Sequence, residues 1–402
     1  MLTRTNIKNG DQLSILGFGC MRFPMKGRSI DEDRTIALIR DAIGKGVNYF
    51  DTAYIYHGGK SELLLGKALE GGYREKVKIA TKLPHYMVGN LDGAKKIFQN
   101  QITKLQTDDI DYYLIHMLSD KAGFERMAKL GVIDWLEQTK KDGTIRNLGF
   151  SFHGGKNDFT ELVTAYPWDF CQIQYNYLDE NNQATKEGLE LAHSLGMPVI
   201  VMEPLRGGKL ADNLPQEVRS AFGSYNAQRT PVDWALRWIW NHPEVTTVLS
   251  GMSTEAQLEE NVRIASSAHA GALTDEELAI FDRVKAIILE KTKVSCTGCG
   301  YCMPCPSGVN IPGCFSVYND KYLLGKSGSR MKYFQNLGLG AKNPNFASLC
   351  IECGKCERHC PQHIEIRKEL KTVKKELEGP LFKPLLSMAR KVMRVGKSQK
   401  NS

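Results

Sequence analysis

Short runs rich in β-branched and aromatic residues alternate, through residues 1–290, with longer stretches whose apolar positions recur every three or four. The short runs are "LGFGCM", "VNYFDTA", "VKIATKL", "DIDYYLIHM", "IRNLGFSF", "FCQIQYN", "PVIVMEPL" and "VTTVLSGM". Each is apolar through most of its length, which predicts a largely buried strand. Between them, "DEDRTIALIRDAIGKG", "SELLLGKALEG" and "PVDWALRWIWNHP" predict helices. The last has Pro231 at its start and Pro243 just past its end, where proline is tolerated. Strict alternation of buried strands and helices implies a parallel sheet. Eight such units within about 265 residues fit a closed (β/α)8 TIM barrel. A doubly wound open sheet is the alternative, but "GFGCMRFP" supplies only two glycines where that fold places a G-x-G-x-x-G turn.

In a barrel, chemistry belongs at the C-terminal ends of the strands. Polar residues stand where the apolar runs stop: Asp51 after "VNYF", Lys82 after "VKIAT" and His116 after "DYYLI". Tyr56 follows in the loop beyond Asp51. A buried Lys beside a Tyr favours phenolate, and an Asp paired to that Lys keeps it charged and oriented. His116 offers a hydrogen bond at the same mouth. Such a set suits proton delivery to a carbonyl oxygen as hydride reaches its carbon. Singly, each residue has a plainer reading, as a rim aromatic, a solvated strand end or an interior imidazole. Convergence from separate strand ends makes them one candidate site.

The segments "NYFDTAYIYHGGKSELLLGKAL", "KIATKL" and "DYYLIH" resemble the signature segments of the aldo-keto reductases, over roughly residues 10–265. The resemblance implies that Tyr56 is the general acid, that Lys82 and Asp51 tune it, and that His116 orients the carbonyl. It further implies nicotinamide contacts from Ser151 and Gln174, although Phe152 stands where the family has Asn. Met202 takes the position of the aromatic that stacks on the ring, with Glu203 at the family's Ser. Glu260 and Asn261 match the adenine contacts. The turn that receives a 2′-phosphate in many members offers Ser253, Thr254 and Gln257 but no cation, so both NADH and NADPH stay open. Arg206 and Lys209, in the glycine-containing "LRGGKL", are candidates for the pyrophosphate. His153 is a candidate for the pocket border.

Nine of eleven cysteines fall between Cys296 and Cys360, too clustered for ordinary core thiols. In a reducing compartment such clustering means metal. Cys296, Cys299, Cys302 and Cys305 precede Pro306, and Cys350, Cys353, Cys356 and Cys360 precede Pro361. The second run is C-x2-C-x2-C-x3-C-P, in which three thiolates hold one cubane and the fourth reaches the other. By that logic Cys296, Cys299, Cys302 and Cys360 hold one [4Fe–4S] centre, and Cys350, Cys353, Cys356 and Cys305 the second. Four-cysteine zinc sites use C-x2-C pairs too, but need neither the third cysteine at the same pitch nor the trailing proline. The segment resembles the ferredoxin-like extension of one aldo-keto reductase branch, which implies a small α+β iron–sulfur domain over residues 291–368. Cys20, Cys171 and Cys314 lie outside the motifs and read as packing residues.

The net charge of +8 does not indicate nucleic acid, because residues 363–402 carry eleven Lys/Arg against four Glu and leave the rest nearly neutral. The basic C-terminal segment within it, 369–402, reads as a solvated terminus or as a contact for a membrane surface or partner. There is no run of about 18 apolar residues and no secretory leader, so a cytoplasmic location without a membrane span is expected. Two functions follow: an oxidoreductase acting on a small carbonyl or alcohol, or an electron-transfer protein with the barrel as a docking scaffold for a one-electron partner. Nicotinamide passes electron pairs and clusters pass single electrons. A flavin ordinarily bridges the two, and the sequence carries no flavin signature.

Overall fold

A computed structural model describes residues 1–27, 29–211, 214–226, 228–323, 328–339 and 344–388. All eight predicted runs become strands: β1 (Leu16–Gly19), β2 (Tyr49–Asp51), β3 (Lys78–Pro84), β4 (Ile110–Leu118), β5 (Ile145–Phe152), β6 (Phe170–Gln174), β7 (Val199–Met202) and β8 (Val245–Ser250). They close into a parallel barrel in sequence order, with β8 returning to β1 through Ser250 beside Phe18. The chain is therefore a TIM barrel with a C-terminal cysteine-bearing region. Side chains of Tyr49, Ala80, Tyr112, Leu114, Phe170, Ile200 and Leu249 fill the interior, joined by Leu13 from the preceding segment. An antiparallel hairpin of Thr3–Thr5 and Gln12–Ser14 packs there too, and its Asn6 and Asp11 bracket the Tyr112 hydroxyl at 3.0 and 2.8 Å.

The predicted helices span Glu32–Gly44, Ser61–Leu69 and Pro231–Trp240. Side chains that accept from first-turn amides start several helices: Asp31 from Arg34, Asn90 from Gly93, Thr230 from Asp233 and Thr254 from Gln257. Pro231 sits at the first position, where its missing N–H costs nothing.

The chain divides into two compact units, 1–205 with 229–278, and 206–228 with the described residues from 279 onward. The segment 206–228 thus groups with the cysteine-bearing unit although it lies within the barrel's sequence span. That second unit has its own core, built from Val309, Ile311, Phe315, Tyr318, Tyr333, Phe346, Ile366, Leu370, Val373 and Leu377. The helix Ile366–Leu377 contributes the last four at helical spacing. Asn319, on the helix Ile311–Leu323, accepts from the amides of Lys293 (3.2 Å) and Val294 (3.0 Å), pinning the segment that leads into Cys296. Where α+β structure was expected, the regular elements among the described residues of this unit are helical, and both cysteine motifs run as loops and turns. Residues 389–402 of the basic segment lie outside the described residues. No helix among the described residues is long and apolar enough to cross a membrane.

Candidate active site and cysteine-lined sites

The register of the barrel brings Asp51, Lys82 and His116 to one end of neighbouring strands. Asp51 ends β2, and Lys82 and His116 lie toward the C-terminal ends of β3 and β4. Lys82 is fully buried and donates to Asp51 Oδ1 at 2.5 Å and to the Thr52 carbonyl at 2.8 Å. The other Asp51 oxygen accepts from Gln172 Nε2 at 2.9 Å, across the barrel from β6. Burial acts against charge on both partners, raising Asp51 and lowering Lys82, while their mutual attraction opposes it. The Lys82 ammonium lies 5.0 Å from the centre of the half-buried Tyr56 ring, and the His116 ring meets Tyr56 edge-on at 6.0 Å. A cation at that distance favours release of the phenolic proton.

The loop carrying Tyr56 is held locally. His57 adopts a left-handed backbone (φ +53°), stacks on Phe23 with centroids 5.0 Å apart, and accepts from the Phe23 amide at 3.2 Å. Ser61 bonds to Thr52 and to the Cys20 carbonyl, each at 2.8 Å. Beneath Lys82 is a polar cluster that sequence reasoning missed. Gln101 donates to the Lys82 carbonyl (3.0 Å) and to the buried Glu62 (2.8 Å), which also accepts from Thr81 (2.7 Å). Its one sequence signal is a glutamate standing before the apolar run of "SELLLG".

Burial pushes His116 well below the ordinary histidine value, aided by Lys82, His153 and His85. The ring is therefore neutral near pH 7 and serves as a hydrogen-bonding group. Its ring 15N shifts should remain those of neutral imidazole below the pH at which an ordinary histidine protonates. Conversion to imidazolium between about pH 7 and 6 would exclude a neutral ring at this position. Just beyond it, the β4–β5 register shifts and Met117 takes φ +61°. The Met117 amide then donates to Ser151 Oγ at 2.8 Å, so one irregularity places His116 and Ser151 together.

The expected nicotinamide residues sit at neighbouring strand ends. Gln172 of β6 pairs in register with Ser151, and Gln174 pairs with Met202. Ser151 accepts from Met117 and keeps its hydroxyl proton to donate, which fits a carboxamide ligand. Gln174 is held by Asp179 (2.8 Å) and Gln183 (3.1 Å), and Gln183 also meets His153 at 3.2 Å. Phe152 faces away from this chain of bonds and packs on Phe159 at 5.0 Å. Gly154 lies so close to β4 that a Cβ there would stand 1.8 Å from the Ser119 carbonyl, which fixes the turn carrying His153. Past β8, Ser253 is bonded to Gln257, Glu260 accepts from Thr230 at 2.7 Å, and Asn261 donates to Ser250 at 2.9 Å. Glu255, in the first turn of the following helix, is bidentate to Arg34 at 2.9 and 2.5 Å.

Arg206 and Lys209, expected at a pyrophosphate, belong to the second unit. Arg206 donates to the Ser295 carbonyl at 3.2 Å, and Lys209 to that of Cys296. A cavity there is ringed by Cys296, Cys299, Cys302 and Cys360, with Ile311, Pro312, Phe315, Ile364 and Ile366 completing an apolar lining. Burial and the adjacent Cys299, Cys296 and Cys360 push the Cys302 thiol up to about 12. Four thiols around an apolar-lined cavity fit a cubane cluster. For the other set, Cys356 is raised by burial, then by Glu357 and Cys350, and Cys305 lies 3.3 Å from Ser307. Cys20, Cys171 and Cys314 are fully buried, and Cys314 lies 3.5 Å from the Tyr333 hydroxyl.

Residues 15–286 match the aldo/keto reductase family and residues 295–365 a 4Fe-4S dicluster domain. The chain belongs to the aldo/keto reductase family: it is an oxidoreductase of that family with a C-terminal dicluster domain, and membership implies a small carbonyl substrate. L-galactose dehydrogenase of Arabidopsis thaliana is 27% identical over 299 residues, covering 69% of this chain and 92% of the relative. A Bacillus halodurans aldo-keto reductase in its holo form is 26% identical with a TM-score of 0.59, covering 71% of this chain and 96% of that one. A Klebsiella pneumoniae aldo-keto reductase in complex with NADPH, 22% identical over the same 71% and 96% at TM-score 0.58, speaks for the fold.

Proposed function

We propose that the barrel reduces an aldehyde or ketone with a nicotinamide cofactor, and oxidises the alcohol in reverse, with Tyr56 as proton donor. The observation that carries this reading is the buried Lys82, bonded to Asp51 at 2.5 Å and lying 5.0 Å from the Tyr56 ring. Ser151 and Gln174 would hold the nicotinamide, with Met202 covering it. When bound, the nicotinamide supplies hydride to the carbonyl carbon. Tyr56 gives its proton to the carbonyl oxygen, the Lys82 charge stabilises the phenolate left behind, and Asp51 keeps Lys82 in place. The neutral His116 ring hydrogen-bonds the same oxygen and so orients the carbonyl. A relative named for dehydrogenating L-galactose supports the oxidative direction at such a site.

NADH is the preferred nucleotide in this reading. The turn that would meet a 2′-phosphate offers Ser253, Thr254 and Gln257, and the next residue on the helix face is the Glu255 carboxylate, whose partner Arg34 is already engaged. A dianionic phosphate beside that carboxylate is disfavoured. In the second unit, Cys296, Cys299, Cys302 and Cys360 would hold one [4Fe–4S] cluster, and Cys350, Cys353, Cys356 and Cys305 the other. Such clusters supply one-electron transfer, here with a separate redox partner.

The test is anaerobic. NADH, then NADPH, is added to iron-loaded protein while carbonyl turnover, visible absorbance and EPR are followed. Expected are turnover with a kcat/KM at least about tenfold higher for NADH and clusters that stay unbleached, because hydride carries paired electrons. Bleaching would mean that the two chemistries share electrons through a flavin or directly. Absence of turnover with both nucleotides would leave the second reading, an electron-transfer protein on a barrel scaffold, which the exposure of Cys353 favours.

A further inference from the structure

Among the cysteines of the two motifs only Cys353 is exposed, and Ile351 beside it is 67% exposed. An open thiolate invites oxidation, and an open isoleucine forgoes the gain of burial, so neither serves the stability of this loop. The acids of the loop are neutralised from the helix Ile366–Leu377: Glu352 pairs with Lys371 at 2.8 Å, and Glu357 with Arg367 at 2.8 Å. The Arg367 guanidinium lies against Gly354, where a Cβ would stand 3.6 Å from its Cζ. Loop and helix therefore present one continuous surface.

The remaining cations of that surface are not matched. Lys355 and Arg358 on the loop, and Lys374 and Lys375 on the helix, are exposed and have no carboxylate partner among the described residues. Lys374 and Lys375 follow Lys371 by three and four residues, so they extend its face by one turn, about 5.4 Å further along the helix. Four unpaired positive charges thus border one apolar side chain and one solvent-facing thiol. A small apolar centre with a charged rim is the anatomy of a transient interface, and electron-transfer encounters use the smallest of these.

We infer, on the ligand assignment proposed above, that this patch docks an acidic one-electron carrier protein. Ile351 makes the central contact, the four cations meet carboxylates of the carrier, and Cys353 brings its cluster to the interface. Each encounter moves one electron: the reduced carrier loses it, the cluster gains it, and no bond or proton is exchanged. Charges of opposite sign steer such a carrier to the exposed cluster. An anionic bilayer would also satisfy the charges, but a single apolar side chain offers no stripe to enter it. A second copy would bring the same four positive charges and be repelled.

The test uses iron-loaded full-length protein, kept anaerobic, with an acidic plant-type [2Fe–2S] ferredoxin as probe and a basic cytochrome c as its opposite in charge. Calorimetry at low salt should show binding of the ferredoxin alone, lost as salt rises. Lys355→Gln with Arg358→Gln, Lys374→Gln and Lys375→Gln should weaken that binding at least about tenfold. All four side chains are exposed and unpaired, so iron content and circular dichroism should be unchanged. Ile351→Ser keeps every charge and should weaken binding by about tenfold. Pre-reduced ferredoxin should reduce the clusters, followed by EPR, at least about tenfold more slowly in the charge variant. Reconstituted protein that holds no iron would overturn the ligand assignment and the docking with it. Iron-loaded protein that fails to bind the ferredoxin, or a charge variant that binds it undiminished, would overturn the docking alone. Binding to phosphatidylglycerol vesicles in place of the ferredoxin would give the patch to a lipid surface.

Discussion

Tyr56→Phe should lower kcat for carbonyl reduction by about 10³-fold, the middle of the range for removing a positioned general acid. NADH binding, followed by fluorescence, should be unchanged, and so should iron content. The ring stays, so its 5.0 Å approach to Lys82 and its edge contact with His116 are kept while the transferable proton is lost. That makes Tyr56 a cleaner probe than its partners. Removing Lys82 would strand the buried Asp51 carboxylate, and breaking a buried pair costs about 3–5 kcal/mol, so lost activity would be mixed with lost fold. A Tyr56→Phe protein with undiminished turnover would remove the proton-donor assignment. One that also lost iron or helicity would make Tyr56 a structural residue.

The second large effect concerns iron. Cys353→Ala and Cys360→Ala should each retain about four of about eight irons, and the double variant should lose nearly all of them. The expectation rests on the crossed ligation proposed above, which is supported by Cys360 lining the cavity of Cys296, Cys299 and Cys302 although it lies in the same sequence motif as Cys353. If each motif served its own cluster, both substitutions would strike the same centre. The double variant would then keep about four irons. Iron assay with EPR of the reduced protein separates the two cases. Because burial and neighbouring thiols already hold Cys302 strongly protonated without metal, reconstitution should be slow at low pH and faster as pH rises toward the thiol range.

Legibility differed by feature. The eight strands could be read directly because each is a continuous apolar run in which local composition and tertiary burial agree. Asp51, Lys82 and His116 could be read because a parallel barrel always presents strand C-termini at one mouth, so the position of a polar residue at the end of a run is itself spatial information. The dicluster domain was legible for the same kind of reason: three thiols at fixed pitch already constrain a tight loop. Arg206 and Lys209 have partners that local pattern does not report. Their glycine-flanked loop suggests an anion cradle, yet both donate to carbonyls at Ser295 and Cys296, about 90 residues further on, and no local pattern encodes that pairing.

Alone, then, the sequence determined the alternation of strand and helix, the polar residues Asp51, Lys82 and His116 at strand ends and the pitch of the cysteines, since each is set within a few residues. Only the tertiary structure decided which groups support them. Gln172 reaches Asp51 from 121 residues away. Gln101 and Glu62 brace Lys82 from below, the Met117 irregularity delivers His116 and Ser151 together, and Cys360 returns to the first three thiols. Closing the barrel and the cysteine unit brings such residues within hydrogen-bond distance or around one cavity, and the energy of those contacts depends on burial that no local stretch of sequence can report.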